Sequence, residues 1–346
     1  ENFKSGDLAR VLVSGQVEGA LICSQAVKLH SSSRERPRPR PHAVDFARFT
    51  AHVRDFLKTR GLSEIFTPTL VTCPGLEPSL EAFATQVTQG GRAETKYLPT
   101  SPEIHLKKAM ARGLTDIFEI RPCFRRNEFS EHHANEFFML EWYRGYADLD
   151  LVIEDLLKMI EALKMWSPSP ARPEVTDFAR LFKEVLQFEL KPTTTREELR
   201  RLAEEFNLDV QTSDTFTDIF HRLMMAQIEP AMAKKGPLIV RRFPPSMAAL
   251  ARIDEHGWAD RFEFYWNGLE IANAFNEVID PDEQDARWRG ELLERERLGT
   301  GRLPTDKELI DALRMGIPPT GGIALGLERF YMALTGVQNI RELSVF

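Results

Sequence analysis

The sequence predicts an α+β fold, a mostly antiparallel sheet with helices around it. Three observations lead there. Paired strand-like runs flank a polar loop, as "DIFEIRPCFRRNE" and "NEFFMLEWYRGYAD" do. The alternating run "RFEFYWNGLEIANAFNEV" contains Asn267-Gly268, a strong hairpin signal. Between such runs apolar residues recur at helical spacing, as at positions 46, 49, 53, 56 and 57. No internal repeat of roughly 20–50 residues is visible.

Taken in order, residues 1–30 read as a short β-ribbon, from the alternation in "LARVLVSGQV" and a turn signal at Glu18-Gly19. About forty residues cannot close a five-stranded OB barrel, so a remnant of one is the largest unit expected there. Residues 31–43, with "SSSRERPRPRPH", read as an extended linker, because proline resists both helix and ladder pairing. A basic arm touching RNA is the alternative. Residues 44–346 form the main domain. Its first helix runs from Val44 to a cap at Gly61. "LSEIFTPTLV" alternates as a strand, with Pro68 placing it at an edge or bulge. "PEIHLKKAMARG" is a short helix, proline at its start and glycine at its end. "LVIEDLLKMIEALKMW" is a longer one, and residues 167–235 are a mainly helical insertion. "PLIVRRFP" and "GGIALGLERFYMALTG" return to strand, the latter running into a helix.

The 346 residues are 42% hydrophobic, enough for a sizeable core. A net charge of −7 does not favour a nucleic-acid partner overall. The three cysteines, Cys23, Cys73 and Cys123, are widely spaced, which speaks against a zinc cluster or a disulfide framework. The start "ENFKSGDLAR" lacks the apolar core of a signal peptide, and no apolar run approaches a membrane span. A soluble, cytoplasmic protein with no membrane partner is expected.

Three stretches carry chemistry. In "FRRNEFSEHHANEFFMLEWY", Phe137, Met139, Glu141 and Tyr143 share a strand parity and line one sheet face. An aromatic ring, a carboxylate and a phenol there suit a flat base and an amine; a hairpin with a solvated face is the plainer reading. In "RFEFYWNGLEIANAFNEV", a hairpin could bring Glu263 and Glu270 together. Such a pair beside phosphate suits magnesium, a hard ion that keeps waters and bridges nucleotide phosphates, although ordinary strand decoration reads the same way. Asn273 and Glu277 follow four apart and could face a substrate amine. In "GGIALGLERF", Gly321, Gly322 and Gly326 allow close backbone approach, and Arg329 enters a helix where it could hold a terminal phosphate or pair with Glu328.

In this order the stretches resemble class II aminoacyl-tRNA synthetases of the lysyl branch, over roughly residues 44–346. The helix followed by "FTPTL" looks like motif 1, "FRRNE…HHANEFFMLEWY" like motif 2 and "GGIALGLERF" like motif 3. "TSPEIHLKK", "FPPSMAALA" and "NIRELSVF" also resemble lysyl-enzyme segments. The resemblance implies a class II catalytic fold, ATP and Mg2+, and a homodimer formed through motif 1. It implies that Arg329 binds the γ-phosphate and that Phe137 stacks on adenine. His133 and Glu128 would sit near the nucleotide, and Glu263 and Glu270 would carry magnesium, Glu270 also touching ATP. Glu103 matches the glutamate at the backbone-side amine. Glu141, Tyr143 and Glu277 match groups at the side-chain ammonium, and Asn273 a substrate-binding asparagine. The motif 2 spacing is FRxxE rather than FRxE. Counting back from "FFMLEWY" makes Arg125 the α-phosphate arginine, and a shift of one residue would make it Arg126.

Lysyl enzymes have glycine where this chain has Ala324, whose methyl shrinks the amino-acid pocket. Ala324 and "FMLEWYR" instead resemble the lysyl-synthetase paralogues that act on elongation factor P. That resemblance implies activation of lysine, preferably (R)-β-lysine, as an adenylate and transfer to a lysine side chain of elongation factor P. A complete anticodon-reading OB domain is not expected in the roughly forty residues before the main domain, so tRNA is not the expected acceptor. Ala274 departs from the paralogues, which usually carry glycine there. The competing expectations are a truncated synthetase charging tRNA or another acceptor, and a catalytically silent synthetase-like regulator.

Overall fold

A computed structural model describes residues 8–17, 20–30, 41–167 and 172–344. Strands β1 (Leu8–Val17) and β2 (Ala20–His30) pair antiparallel. The expected turn at 18–19 and the Arg/Pro linker at 31–40 lie outside the described residues. Helix α1 spans Pro41–Thr59, three residues earlier than the expected start at Val44. A proline tolerates the first helical position because that N–H has no partner in the helix. Then come β3 (Ser63–Glu64), the hairpin β4 (Ala84–Gln89) and β5 (Arg92–Tyr97), and α2 (Glu103–Met110). The long hairpin β6 (Asp116–Phe124) and β7 (Glu136–Gly145) leads into α3 (Leu149–Ala162).

The next segment contains β8 (Glu174–Asp177), α4 (Phe178–Leu186), α5 (Arg196–Glu205), α6 (Phe216–Leu223) and α7 (Glu229–Met232). Strand β9 (Leu238–Phe243), the hairpin β10 (Ala259–Trp266) and β11 (Leu269–Asn276), α8 (Pro281–Leu298), α9 (Lys307–Met315), β12 (Thr320–Gly326) and α10 (Leu327–Thr335) complete the chain.

Eight strands form one sheet in the order β3-β6-β7-β12-β11-β10-β9-β8. It is antiparallel except at its edges, where β3 runs parallel to β6 and β8 to β9. The expected α+β arrangement is therefore present. Two local readings differ. "LSEIFTPTLV" is strand only at Ser63 and Glu64, with one further antiparallel bridge from Val71 to Tyr97. Beyond them Pro68 has no N–H to offer a ladder, and Thr67 instead donates through its N–H and hydroxyl to the Glu119 carboxylate. The segment read as mainly helical also contributes β8, four residues too short to show a period.

Strand alternation sorts side chains to two faces. One face carries Phe118, Ile120, Leu140, Trp142, Ala272, Ala274, Ile323 and Leu325, all buried in a core with Phe49, Val53 and Leu57 of α1, Val152 and Leu156 of α3, and Phe330 of α10. A second core joins α4, α5 and α6 to β9 around Phe178, Phe182 and Phe220. The opposite face of β6, β7, β12, β11 and β10 carries the polar residues singled out above. Burying its own helices on one side leaves the other side free to be a floor.

Candidate active site

The register of the sheet puts residues far apart in sequence side by side. Glu119 pairs with Glu141, Glu141 with Ala324, Ala324 with Asn273, and Asn273 with Glu263. These five form one row across five strands on the floor of the site. The neighbouring row is Ile117, Tyr143, Gly322, Phe275 and Arg261. Asn267 and Gly268 form the expected turn of the β10–β11 hairpin, with φ of +52° and +79°, as a type I′ turn requires. Gly322 is required for a different reason: a Cβ there would lie 2.3 Å from Glu277 Oε1 and 2.6 Å from Tyr143 Cε1. The bare backbone lets those two side chains converge.

At this end the site is acidic. Glu141 and Glu277 are both buried. The Tyr143 hydroxyl donates to Glu141 Oε2 at 3.1 Å. Lys107, one helical turn after Glu103 on α2, reaches Glu103 at 2.6 Å and Glu277 at 2.7 Å while almost wholly buried. Burial pulls its ammonium down, but the two carboxylates override that and hold it charged. Burial and the Glu103 charge push Glu141 well above the usual carboxylate range. Burial also raises Glu277, to about 7, although Lys107 pulls the other way. Lys107 was not singled out from the sequence. Its i,i+4 spacing to Glu103 is the signature of an ordinary surface pair, and burial is what changes its meaning.

The other end is cationic. Arg125 stands over the Phe137 ring at 5.1 Å, 3.8 Å from Glu128, and its buried Nε has no partner. The adjacent Arg126 is exposed and uses its backbone N–H on the Glu81 carbonyl. Arg125 and Asn135 close the intervening loop by hydrogen bonds of 2.9 Å in each direction. Arg329, at the start of α10, donates to the main-chain carbonyls of His132 and Glu270 at 3.3 and 3.0 Å. Its guanidinium is pulled below the ordinary arginine range by burial, with Glu270 opposing. Burial and the Arg329 charge keep His133 below its usual range and so neutral at pH 7; its Nδ1 lies 2.8 Å from Ser130 Oγ. Glu328 does not pair with Arg329; it accepts twice from the Phe138 N–H, at 2.8 and 3.0 Å, and so fixes α10 to β7.

Between the two ends lies Arg261, also missed in the sequence. It is stacked between Phe243 at 4.2 Å and Phe275 at 5.4 Å. It donates to Asn273 Oδ1 at 3.0 Å and to Glu263. Tyr265 donates to the other Glu263 oxygen. Glu263 is thus occupied, whereas the Glu270 carboxylate has no partner among the described residues. Glu270 sits among neighbouring groups yet still opens to solvent, and loss of hydration first and Glu263 second push it up to about 7. A carboxylate in that state gains by meeting a cation. Among the described residues no three acidic, histidine or cysteine side chains are grouped to hold a metal by themselves. Magnesium bound chiefly by phosphates needs one or two carboxylates, which Glu270, with Glu263 beside it, can supply.

The site thus has an anionic pocket and a cationic end joined by a flat floor, on an antiparallel sheet. Residues 36–346 match the class II tRNA synthetases (D, K and N), and the chain belongs to that family. Among curated proteins it is similar to the elongation factor P–(R)-β-lysine ligase of Histophilus somni (strain 2336), with 33% identity over 304 residues, 87% of this chain and 93% of the relative. The ligase of the same name from Pasteurella multocida (strain Pm70) is 33% identical over 305 residues, again 87% and 93%. That of Salmonella dublin is 31% identical over 313 residues, 88% and 94%. Among the described residues no helix is long and apolar enough to cross a membrane.

Proposed function

We propose that this chain activates lysine or (R)-β-lysine with ATP and transfers the acyl group to a lysine side chain of elongation factor P. The observation that carries the reading is the convergence of Glu103, Glu141, Tyr143 and Glu277 on one face, opposite two arginines with unsatisfied or strained solvation. The substrate carboxylate attacks the ATP α-phosphorus, the bond to the bridging oxygen breaks, and diphosphate leaves. Arg125 faces the α-phosphate and Arg329 the γ-phosphate, neutralising charge as it develops. Phe137 stacks on adenine, with Glu128 and His133 at the nucleotide. Glu270, assisted by Glu263, would hold Mg2+, which supplies charge neutralisation on the phosphates when bound. Glu141, Tyr143 and Glu277 receive the side-chain ammonium, Glu103 the second amine, and Asn273 also contacts the substrate. Ala324, between Asn273 and Glu141, sets the depth of the floor. The acceptor amine then attacks the acyl carbon, an amide forms, and AMP leaves.

This reading places the reaction in the cytoplasm, consistent with the free, buried thiols of Cys73 and Cys123. It includes a homodimer, supported by the motif 1 resemblance and by Phe66 and Leu70, which are 82% and 51% exposed on that segment. tRNA has no part in it. The test is amino-acid-dependent ATP–diphosphate exchange with each lysine isomer, followed by mass spectrometry of elongation factor P. Exchange together with a mass gain of one lysyl group on elongation factor P is the expected result. Exchange with transfer to tRNA and not to the factor would replace it by the synthetase reading; no exchange would leave the silent regulator.

A further inference from the structure

Next to Glu103, towards α8, lies a small cavity of about 20 Å³, room for one water-sized group. Its lining includes Glu77, Ser101, Glu103, Gln284, Trp288 and Glu291. Gln284 is 1% exposed and its Oε1 has no hydrogen-bond partner. Glu77 Oε2 is likewise buried and unpartnered. Gly75 makes room for that carboxylate, since a Cβ there would lie 2.7 Å from Glu77 Oε2. The cavity is therefore built from acceptors with little to accept.

Of the nearby cations, Arg125, whose charge also acts on Glu77, keeps an unpartnered Nε, and the others are already engaged. Lys107 is held between Glu103 and Glu277. Arg295 donates to the main-chain carbonyls of Glu77, Leu80, Thr300 and Gly301. Arg287 donates to the Ala249 carbonyl and the Glu283 carboxylate. Three carboxyl groups, Glu77, Glu103 and Glu291, thus face one cavity with a single shared ammonium. Burial raises Glu77 and, with Glu77 and Glu103 adding to it, pushes Glu291 up to about 8. The missing element is a compact positive group with several donors. A metal ion is disfavoured by the lack of a three-ligand cluster among the described residues. A primary ammonium, with three donors, matches both the volume and the acceptors.

We propose that this cavity is a second ammonium subsite, in which Glu77, Glu291 and Gln284 extend Glu103 to hold the amino group nearest the substrate carboxylate. The inference rests on the proposed activation of a diamino acid. It assigns specificity to a loop (residues 74–77) and a helix (α8) outside the three signature motifs.

Isothermal titration of the full chain with L-lysine, (R)-β-lysine and 6-aminohexanoate tests it, because 6-aminohexanoate keeps the side-chain amine and the carboxylate but lacks the second amine. The expected result is that the wild-type protein favours its better diamino acid over 6-aminohexanoate, and that Glu77→Gln and Glu291→Gln each shrink that preference about tenfold, the scale of one buried charge-assisted hydrogen bond. An unchanged preference in both folded variants overturns the subsite and leaves the activation reading standing. Failure of the wild-type chain to bind either diamino acid removes both. Should the variants unfold, a crystal structure of the wild-type complex decides: the amine in the cavity supports the subsite, and a water there with the amine at Glu103 alone overturns it.

Discussion

The two ends of the site solve opposite electrostatic problems in different ways. The cationic end keeps its cations underused: Arg125 Nε is buried without a partner, and Arg329 spends donors on two main-chain carbonyls. The acidic end has a resident cation, since Lys107 bridges Glu103 and Glu277. An unpaired buried carboxylate is costlier to keep than a partly exposed guanidinium. The acidic end therefore needs a permanent partner, and the basic end can wait for its ligand.

The largest expected effect lies at the waiting end. Arg329→Ala and Arg125→Ala should each lower kcat/KM for ATP–diphosphate exchange about 10²–10³-fold, the scale of removing one preorganised charge stabiliser. Arg126→Ala should change it less than about threefold, because that side chain points to solvent. Equal losses at 125 and 126 would erase the distinction between them.

At the resident-cation end, Lys107→Met should destabilise the fold by about 3–5 kcal/mol in urea titrations, since it strands two carboxylates in the interior. A loss below about 1 kcal/mol would mean that solvent reaches the pair. Gly322→Ala should abolish amino-acid binding by calorimetry and cost about 1–3 kcal/mol, as its Cβ would overlap Glu277 and Tyr143. The smaller change Ala324→Gly should shift the preference between lysine isomers by about 10-fold in exchange assays, the value of one methyl group in a pocket.

The smallest effect is a pH dependence. Burial holds Glu277 and Glu328 near 7, against an ordinary value of 4.5. The folded protein then binds more protons than the unfolded chain between those values. Its stability should fall as pH rises from about 5 to 7 and level off above that. Urea midpoints that rise over this interval would contradict the burial of these groups. Binding of an ammonium should release protons at pH 6.5, detectable by titration in buffers of different ionisation enthalpy.

Much of this was legible in sequence because strands write a two-residue code. Glu141 and Tyr143 reveal their shared face by parity, and Asn267-Gly268 marks the β10–β11 hairpin; the bulge at Phe264/Tyr265 that sets Glu263 opposite Asn273 is not written in that turn. The rest depends on packing between distant segments. Lys107 and Arg261 look like surface charges until α2 and the β9–β10 pair bury them. The sequence reading does not reach the hairpin β4–β5, helix α9, or helix α8, which brings Gln284, Trp288 and Glu291 to the site. In α8 apolar residues are too scarce to mark a face. Counting back from "FFMLEWY" reads Arg125, the side chain that lies over Phe137, but the spacing does not show that packing.

The position of β12 has a consequence for how activity is acquired during folding. It is the last of the described strands, yet it sits between β7 and β11, in the middle of the sheet. Until residues 320–326 dock, β6–β7 and β10–β11 are two separate hairpins, each with an open edge and half of the row from Glu119 to Glu263. Such pairing between distant segments is slow to form and leaves edges free to aggregate. A nascent chain emerging from the ribosome would therefore hold neither a complete acidic pocket nor a complete cationic end. Competence to consume ATP should appear at the final zipping step, after the rest of the domain has been synthesised.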